Sequence, residues 1–515
     1  MEDVAGTHLH ELLENIRASA VANADRYIND LVLPQLATLK SSNGGALTEY
    51  VRHLAAWTIC ANEGIVSFVR PERYVEQSLL IRWRRPHGLL HFLRLSSSAE
   101  TTVEELNLPL PDTTRLRFFS DDETFSYEAL RAAGYSNYGG ADLGEVFNIC
   151  ARIKAGDEKG WLREWKAAAQ RAEQNARISE TGGNEQSAFT GYLRASNYYR
   201  TAEFFRRSNP FEDKESRDLF NKSSEAFLNA MRLGPYECQE VQIPYQETTL
   251  PAYLMLPQGN RTKLKTIVFN GGYDSTKEES WFAIAAPALD RGFAVVAFDG
   301  PGQGAALREQ RLAFRPDWET VLTPVLDFVV RRPEVDSERV VVFGWSMGGY
   351  LVARGGTAEH RAAALILDDG VYDFGLAFRN GLPSFMQRLI DWGYDGIFDA
   401  LVQKAMRWSS GLRWGVLNGL WTFGVKSPAD FLRATKNYTL EGCCDKIRTP
   451  SLILDASEDH FLRGQPRVLA DHLTCEHELV TLGKLDGGET HCHQGSFGRV
   501  HQVIFDYLAK RLGSC

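Results

Sequence analysis

Val340-Val341-Val342-Phe343-Gly344-Trp345-Ser346-Met347-Gly348-Gly349-Tyr350 is the stretch on which the reading of this chain turns. Its first four residues are apolar and mostly β-branched, with no polar alternation. Such a run reads as a strand buried on both faces, the kind a parallel sheet contains. Residues 344–349 then form a tight turn of the G-x-S-x-G type, and residues 350–360 read as a helix. A strand that turns this sharply into a helix forces the residue at its apex, Ser346, into a strained backbone conformation and exposes its hydroxyl. Side chains at Gly344 and Gly348 would collide with neighbouring elements. Working outward, runs of the same texture recur at 266–269, 294–298, 364–367 and 452–454, separated by helical segments. Strands spaced by helices in this way predict right-handed crossovers and an open, mostly parallel α/β sheet. Residues 241–245 and 252–256 alternate like an antiparallel pair in front of it. Residues 479–482 read as the last strand and 500–512 as the terminal helix.

In open α/β sheets, function collects at the C-terminal ends of the strands. Ser346 stands at one such end, and a serine needs a base to act as a nucleophile at neutral pH. The order expected after such a turn is serine, acid, histidine. Asp459 leaves the strand at 452–454 in the loop where the acid belongs, with Asp455 and Glu458 as alternatives. His491 follows the last strand after Gly487-Gly488-Glu489-Thr490 and is the expected base, with His493 as the alternative and His460 as a neighbour of the acid. Acyl transfer also needs oxyanion donors. The backbone N–H of Met347 is one. Asn270-Gly271-Gly272-Tyr273-Asp274-Ser275, after the strand at 266–269, supplies the second, assigned to Gly272 with Tyr273 as the one-residue alternative. The glycine-rich residues 298–304 lack the Lys-Ser/Thr pair of a phosphate loop and read as a tight turn flanking the site. Tyr273, Asp274 and Asp369 lie near strand ends, so Tyr273 and Asp274 are taken as substrate-binding candidates and Asp369 as a further possibility, with turn formation as the competing explanation.

Ahead of the sheet, residues 115–235 read as successive helices. Trp161, Trp165, Ala168, Ala169 and Ala172 recur at helical spacing, as do Tyr192, Ala195, Tyr199 and Ala202, and then Phe220, Ala226, Phe227 and Met231. The connection between Asp368 and Ser451 is about eighty residues long, too long for a plain loop. Its richness in Trp, Phe and Leu predicts a helical lid over the site at about 370–441, with an ordinary packing subdomain as the alternative. The organisation expected is therefore 1–114 as an unassigned N-terminal segment, 115–235 as a helical domain, and 236–515 as the catalytic domain carrying the lid. Within the first segment, 9–39 has helical periodicity, 78–95 suggests short strands or helix fragments, and 106–114 reads as a linker.

The 515 residues exceed one hydrophobic core, and 44% hydrophobic with 24% charged residues is an ordinary globular composition. A formal net charge of −9 without a basic stripe argues against a nucleic-acid partner. No apolar run predicts a membrane span, no secretory or targeting signal is evident, and the eight cysteines are scattered, which together suggest free thiols in the cytoplasm. Neither Cys443-Cys444 nor His491-Cys492-His493 has the spacing of a zinc site, so no metal and no cofactor is expected.

The motifs together resemble one α/β-hydrolase group, which contains the bacterial dihydropseudooxynicotine hydrolase and fungal polyketide-shortening hydrolases of pigment pathways. The resemblance rests on residues 270–275, 298–304, 344–349, 456–459 and 489–492. In the helical block it rests on Tyr138-Gly139-Gly140-Ala141-Asp142, residues 161–165, Arg194-Ala195-Ser196-Asn197-Tyr198-Tyr199 and Ile243-Pro244-Tyr245. It covers residues 115–515. It implies an α/β-hydrolase fold and a small-molecule substrate of polyketide or ester type. It also implies retro-Claisen cleavage of a C–C bond next to a ketone or cleavage of an ester, in a site shielded by the helical domain, and a homodimer. A cyclase or acyltransferase using the same three residues is the alternative, since relatives of this fold also close rings.

Overall fold

The computed structural model describes residues 117–259 and 262–513. The readings on residues 1–114 lie outside the described residues. Among the described residues five α-helices come before the sheet: α1 Glu123–Gly134, α2 Leu143–Cys150, α3 Glu158–Thr181, α4 Glu185–Glu203 and α5 Lys214–Leu233. Aspartates start four of them by accepting backbone N–H groups that have no intrahelical partner: Asp122 for α1, Asp142 for α2, Asp157 for α3 and Asp213 for α5. The expected stripe of α3 is buried, Trp161, Trp165, Ala168, Ala169 and Ala172 included, and continues to Ala176. Small residues let α3 and α4 approach closely: a Cβ on Gly191 would stand 2.9 Å from that of Ala176. Burying a large apolar side chain of this kind contributes roughly 1.5–3 kcal/mol.

The eight strands are β1 Glu237–Tyr245, β2 Thr248–Leu256, β3 Leu264–Asn270, β4 Ala294–Phe298, β5 Val335–Trp345, β6 Ala364–Asp368, β7 Ser451–Ala456 and β8 His477–Leu482. They form one sheet in the order β1-β2-β4-β3-β5-β6-β7-β8. β1 and β2 pair antiparallel, β2 meets β4 antiparallel, and every later pairing is parallel. The unbroken apolar character of the central strands is explained by cover on both faces. Val268 and Val342 point into one core, which reaches the helical block through Trp161 and Trp165. Ile267, Phe269, Val341 and Phe343 point into the other, with Phe497, Ile504 and Leu508 of the terminal helix.

The crossovers that position the site are α6 Gly304–Gln310, α7 Glu319–Val330 and α8 Met347–Gly355. The long connection after β6 holds α9 Ser384–Asp391, α10 Asp395–Ala405, α11 Ser410–Thr422 and α12 Pro428–Thr435. Met386, Ile390, Phe398, Val402, Val416, Ala429 and Leu432 give these helices a small core of their own. The chain ends in α13 Gln465–His472, β8 and α14 Phe497–Leu512. No helix among the described residues is long and apolar enough to cross a membrane.

Candidate active site

Ser346 joins β5 to α8 with φ 61° and ψ −126°, a conformation that L side chains rarely adopt. Such strain costs on the order of 1–3 kcal/mol and persists only where the surroundings enforce it. They do so here. A Cβ on Gly344 would lie 2.2 Å from the carbonyl oxygen of Gly348, one on Gly348 would lie 2.4 Å from that of Asn270, and one on Gly349 would lie 1.9 Å from that of Asp369. The N–H of Ser346 donates to the carbonyl oxygen of Asp368 at 2.5 Å, pinning the turn to the end of β6.

The hydroxyl of Ser346 is 2.8 Å from Nε2 of His491, and Nδ1 of His491 is 2.7 Å from Oδ2 of Asp459. The structure thus brings the three sequence-predicted residues into one hydrogen-bonded chain. Asp459 accepts the N–H groups of Phe461 and Leu462 on its other oxygen, at 2.6 and 2.9 Å. Burial opposes its charge, yet His491, aided by a hydrogen bond from Asp369, holds its carboxyl far below the usual carboxylate range. Burial also opposes charge on His491, but the Asp459 carboxylate prevails and raises the imidazole well above the ordinary histidine value. Of the alternatives, Asp455 accepts from Thr481, and His493 is fully buried beside Asp368, its pKa lowered to about 3 by burial. His460 sits with its ring against Phe461 and Tyr127.

His491 is turned toward Ser346 by left-handed backbone at Cys492 and His493, with φ of 49° and 56°. His493 Nδ1 lies 3.4 Å from Asp368, while Cys492 Sγ stays 3.4 Å from His491 Nε2. Among the described residues, two sets of side chains come close enough to surround an ion, Asp369–His491–Cys492 and Asp368–Asp369–His493. In the first, both ring nitrogens of His491 already face Ser346 and carboxylates. In the second, only three donors meet, and Asp369 is committed through its other oxygen to His491.

Gly272 is packed against the serine: a Cβ there would stand 2.7 Å from the carbonyl oxygen of Trp345 and 2.8 Å from Cβ of Ser346. Its N–H, however, donates to Oγ of Ser275 at 2.9 Å, because the Gly271–Ser275 turn closes on itself. The loop is held from outside by Gln303, whose Nε2 donates to the carbonyls of Gly271 and Gly272 at 2.6 and 3.0 Å, and by Trp318, whose indole donates to Asn270 Oδ1 at 2.7 Å. Met347 begins α8, where the first N–H groups have no intrahelical acceptor.

The two substrate-binding candidates of this loop have their polar ends engaged by the protein. The Tyr273 hydroxyl donates to the Gly415 carbonyl of α11 at 2.6 Å, and Asn418 Nδ2 donates back to the Tyr273 carbonyl at 3.2 Å. Asp274 accepts from Arg131 of α1 at 2.9 Å and from Arg200 of α4 at 3.1 Å, and the same arginines reach Glu279 and Glu128. This buried network ties the helical block to the loop after β3. Burial opposes the Asp274 charge, and the two arginines overcome it and lower its pKa.

Two contributors escape a reading of the chain alone, and a third, named as a possible substrate contact, faces His491 instead. Tyr127 of α1 donates its hydroxyl to the His491 carbonyl at 3.2 Å, with Phe461 on the same ring. Gln303 was visible only as part of a glycine-rich turn. Asp369, one of several residues near strand ends, places Oδ2 2.8 Å from His491 Nδ1.

Comparison with known proteins bears on the family of this chain. The model of the α/β hydrolase family matches residues 267–496, and that of FrsA-like esterases matches 151–370. The hydrolase LUC6 of Fusarium sp is 35% identical, over 76% of this chain and 96% of its own. The 20-hydroxy-prefusarin hydrolase FUS2 of Gibberella moniliformis is 35% identical, over 75% and 95%. The crystal structure of 2,6-dihydroxy-pseudo-oxynicotine hydrolase superposes with a TM-score of 0.58 at 21% identity, over 74% and 95%. At that identity the likeness speaks for the fold.

Proposed function

The chain belongs to the α/β-hydrolase family, and on that premise we propose that it is a serine-nucleophile hydrolase. Its substrate is a polyketide-like secondary metabolite, cleaved at a C–C bond next to a ketone in the retro-Claisen sense, or at an ester. The observation that carries this reading is the hydrogen-bonded chain Ser346–His491–Asp459 at three strand ends. Two relatives are fungal hydrolases, one of them named for 20-hydroxy-prefusarin. This supports a secondary-metabolite substrate.

In the proposed reaction His491 Nε2 takes the proton of Ser346 as Oγ bonds to a substrate carbonyl carbon. Asp459 stabilises the resulting imidazolium and keeps its proton on Nδ1. The carbonyl oxygen becomes an oxyanion facing the N–H of Met347 and the loop after β3. Because Gly272 spends its N–H on Ser275, the N–H of Tyr273 is the loop's donor in this proposal. Collapse of the tetrahedral intermediate breaks the bond to the leaving enolate or alkoxide, which receives the proton from His491. Water, deprotonated by His491, then attacks the acyl-serine. This yields a carboxylic acid and restores the hydroxyl.

Mass spectrometry of wild type and Ser346→Ala on β-diketone polyketides and aryl esters in heavy-oxygen water tests the reading. Label in a shortened acid, lost in the variant, is the expected result. An unlabelled, rearranged product that still depends on Ser346 would instead make the protein a cyclase.

A further inference from the structure

We propose that His491 is oriented by two carboxylates, Asp459 and Asp369, that share a single proton, with Asp369 a second positioning residue able to hold the base when Asp459 is removed. This rests on the serine-hydrolase reading and concerns the same site.

The topology makes the arrangement possible. β6 lies between β5, which carries Ser346, and β7, which leads to Asp459. Asp369, the first residue after β6, therefore emerges between nucleophile and acid. Its backbone is fixed by the elbow itself, through the Asp368 carbonyl that accepts from Ser346 and the Asp369 carbonyl that Gly349 leaves room for. Its Oδ2 is 2.8 Å from His491 Nδ1, and Oδ2 of Asp459 is 2.7 Å from the same atom. One N–H therefore faces two acceptors.

Two bare carboxylates cannot both persist this close in a buried site, so one holds a proton. The hydrogen bonds decide which. Asp459 receives two backbone N–H groups on Oδ1, a setting for charge. Asp369 receives one longer backbone N–H, from Cys492 at 3.2 Å on Oδ2, with the weakly donating thiol of the same residue at 3.8 Å, and its buried Oδ1 accepts none among the described residues. Burial, followed by the charge of Asp459, pushes the Asp369 carboxyl up to about 7, against the opposing pull of His491. The other groups facing it add little charge. Burial raises the Asp368 carboxyl and the Cys492 thiol, and it keeps His493 neutral. Tyr127 is likewise raised by burial, and His460 lies on the Asp459 side, where its charge would favour that carboxylate. The pair is then one charge and one proton: Asp459 ionised, Asp369 an acid donating to it.

Removing Asp459 relieves Asp369 of the neighbouring charge. Asp369 then ionises next to Nδ1 and accepts its N–H in place of the lost acid. The test is the second-order rate of fluorophosphonate labelling of Ser346 between pH 5 and 10, in which Oγ displaces fluoride from phosphorus and His491 takes the proton. D459N is expected to lose about 10-fold. D459N/D369N is expected to approach the roughly 10⁴-fold loss of a triad without its acid. As pH rises through about 7, Asp369 loses the shared proton and adds a second negative charge beside the imidazole; D369N cannot, and is expected to shift the acidic limb of the rate profile to lower pH by at least half a unit. A purely structural role for Asp369 would leave that limb in place. D459N as slow as the double variant, or an unmoved limb in D369N, would overturn the proposal. The limb is measured on a single variant, so it stands even if the double variant does not fold. Labelling that persists in Ser346→Ala would count against the serine reading itself, and so the two failures are told apart.

Discussion

The hydroxyl of Tyr273 donates to the carbonyl oxygen of Gly415 at 2.6 Å, so the loop that packs against Ser346 is fastened directly to α11 in the long connection after β6. The ring is also packed among Phe374, Phe378, Trp414, Phe423 and Phe431. Tyr273→Phe keeps that packing and removes one buried hydrogen bond, worth about 1 kcal/mol. The expected outcome is faster limited proteolysis within residues 370–441, read by mass spectrometry of the fragments. An unchanged cleavage rate would mean that packing alone holds this connection.

Asp274 is the carboxylate shared by Arg131 and Arg200. Removing one partner from a buried ionic network leaves an uncompensated charge and costs on the order of 3–5 kcal/mol. Asp274→Asn is therefore expected to lower the urea midpoint strongly. A variant with the wild-type midpoint and a higher KM would identify Asp274 as a substrate contact instead.

Gly272 and Gly344 forbid side chains for different reasons. At Gly344 a Cβ meets backbone at 2.2 Å inside the elbow, so Gly344→Ala is expected to give little folded protein. At Gly272 the clash is with Trp345 and the nucleophile at the rim of the site. Gly272→Ala is expected to fold, by circular dichroism, and to lose about 10²-fold in kcat as the oxyanion loop is displaced.

In the proposed mechanism His491 works only when unprotonated. Despite its burial, His491 is raised well above the ordinary histidine value, chiefly by Asp459. The acidic limb of kcat/KM is therefore expected above pH 6.5, with activity gained as pH rises through the raised value. A limb at or below pH 6 would mean that the imidazole does not feel that charge.

Much of the fold was legible because it is locally encoded. The unalternating runs at 266–269, 294–298, 340–343, 364–367 and 452–454 fall within β3, β4, β5, β6 and β7, since strands buried on both faces have no polar side to show. The helical stripe on α3 was equally readable from its spacing. The cleft partners were less so. Gly272 stands against the serine as its position suggested, but whether its N–H is free depends on Ser275 closing the turn. Asp274 sits near a strand end as a substrate contact would, and only the arrival of α1 and α4 makes it an ionic joint.

By itself the sequence determined the alternation of strands and helices and the sharp turn at Ser346, because sterics and periodicity act between near neighbours in the chain. Only the tertiary structure decided that His491 faces two carboxylates, and that Tyr127 and Gln303 brace the site. Those contacts join residues far apart in sequence, and they exist only once β6 is inserted between β5 and β7 and the helical block is seated on the sheet.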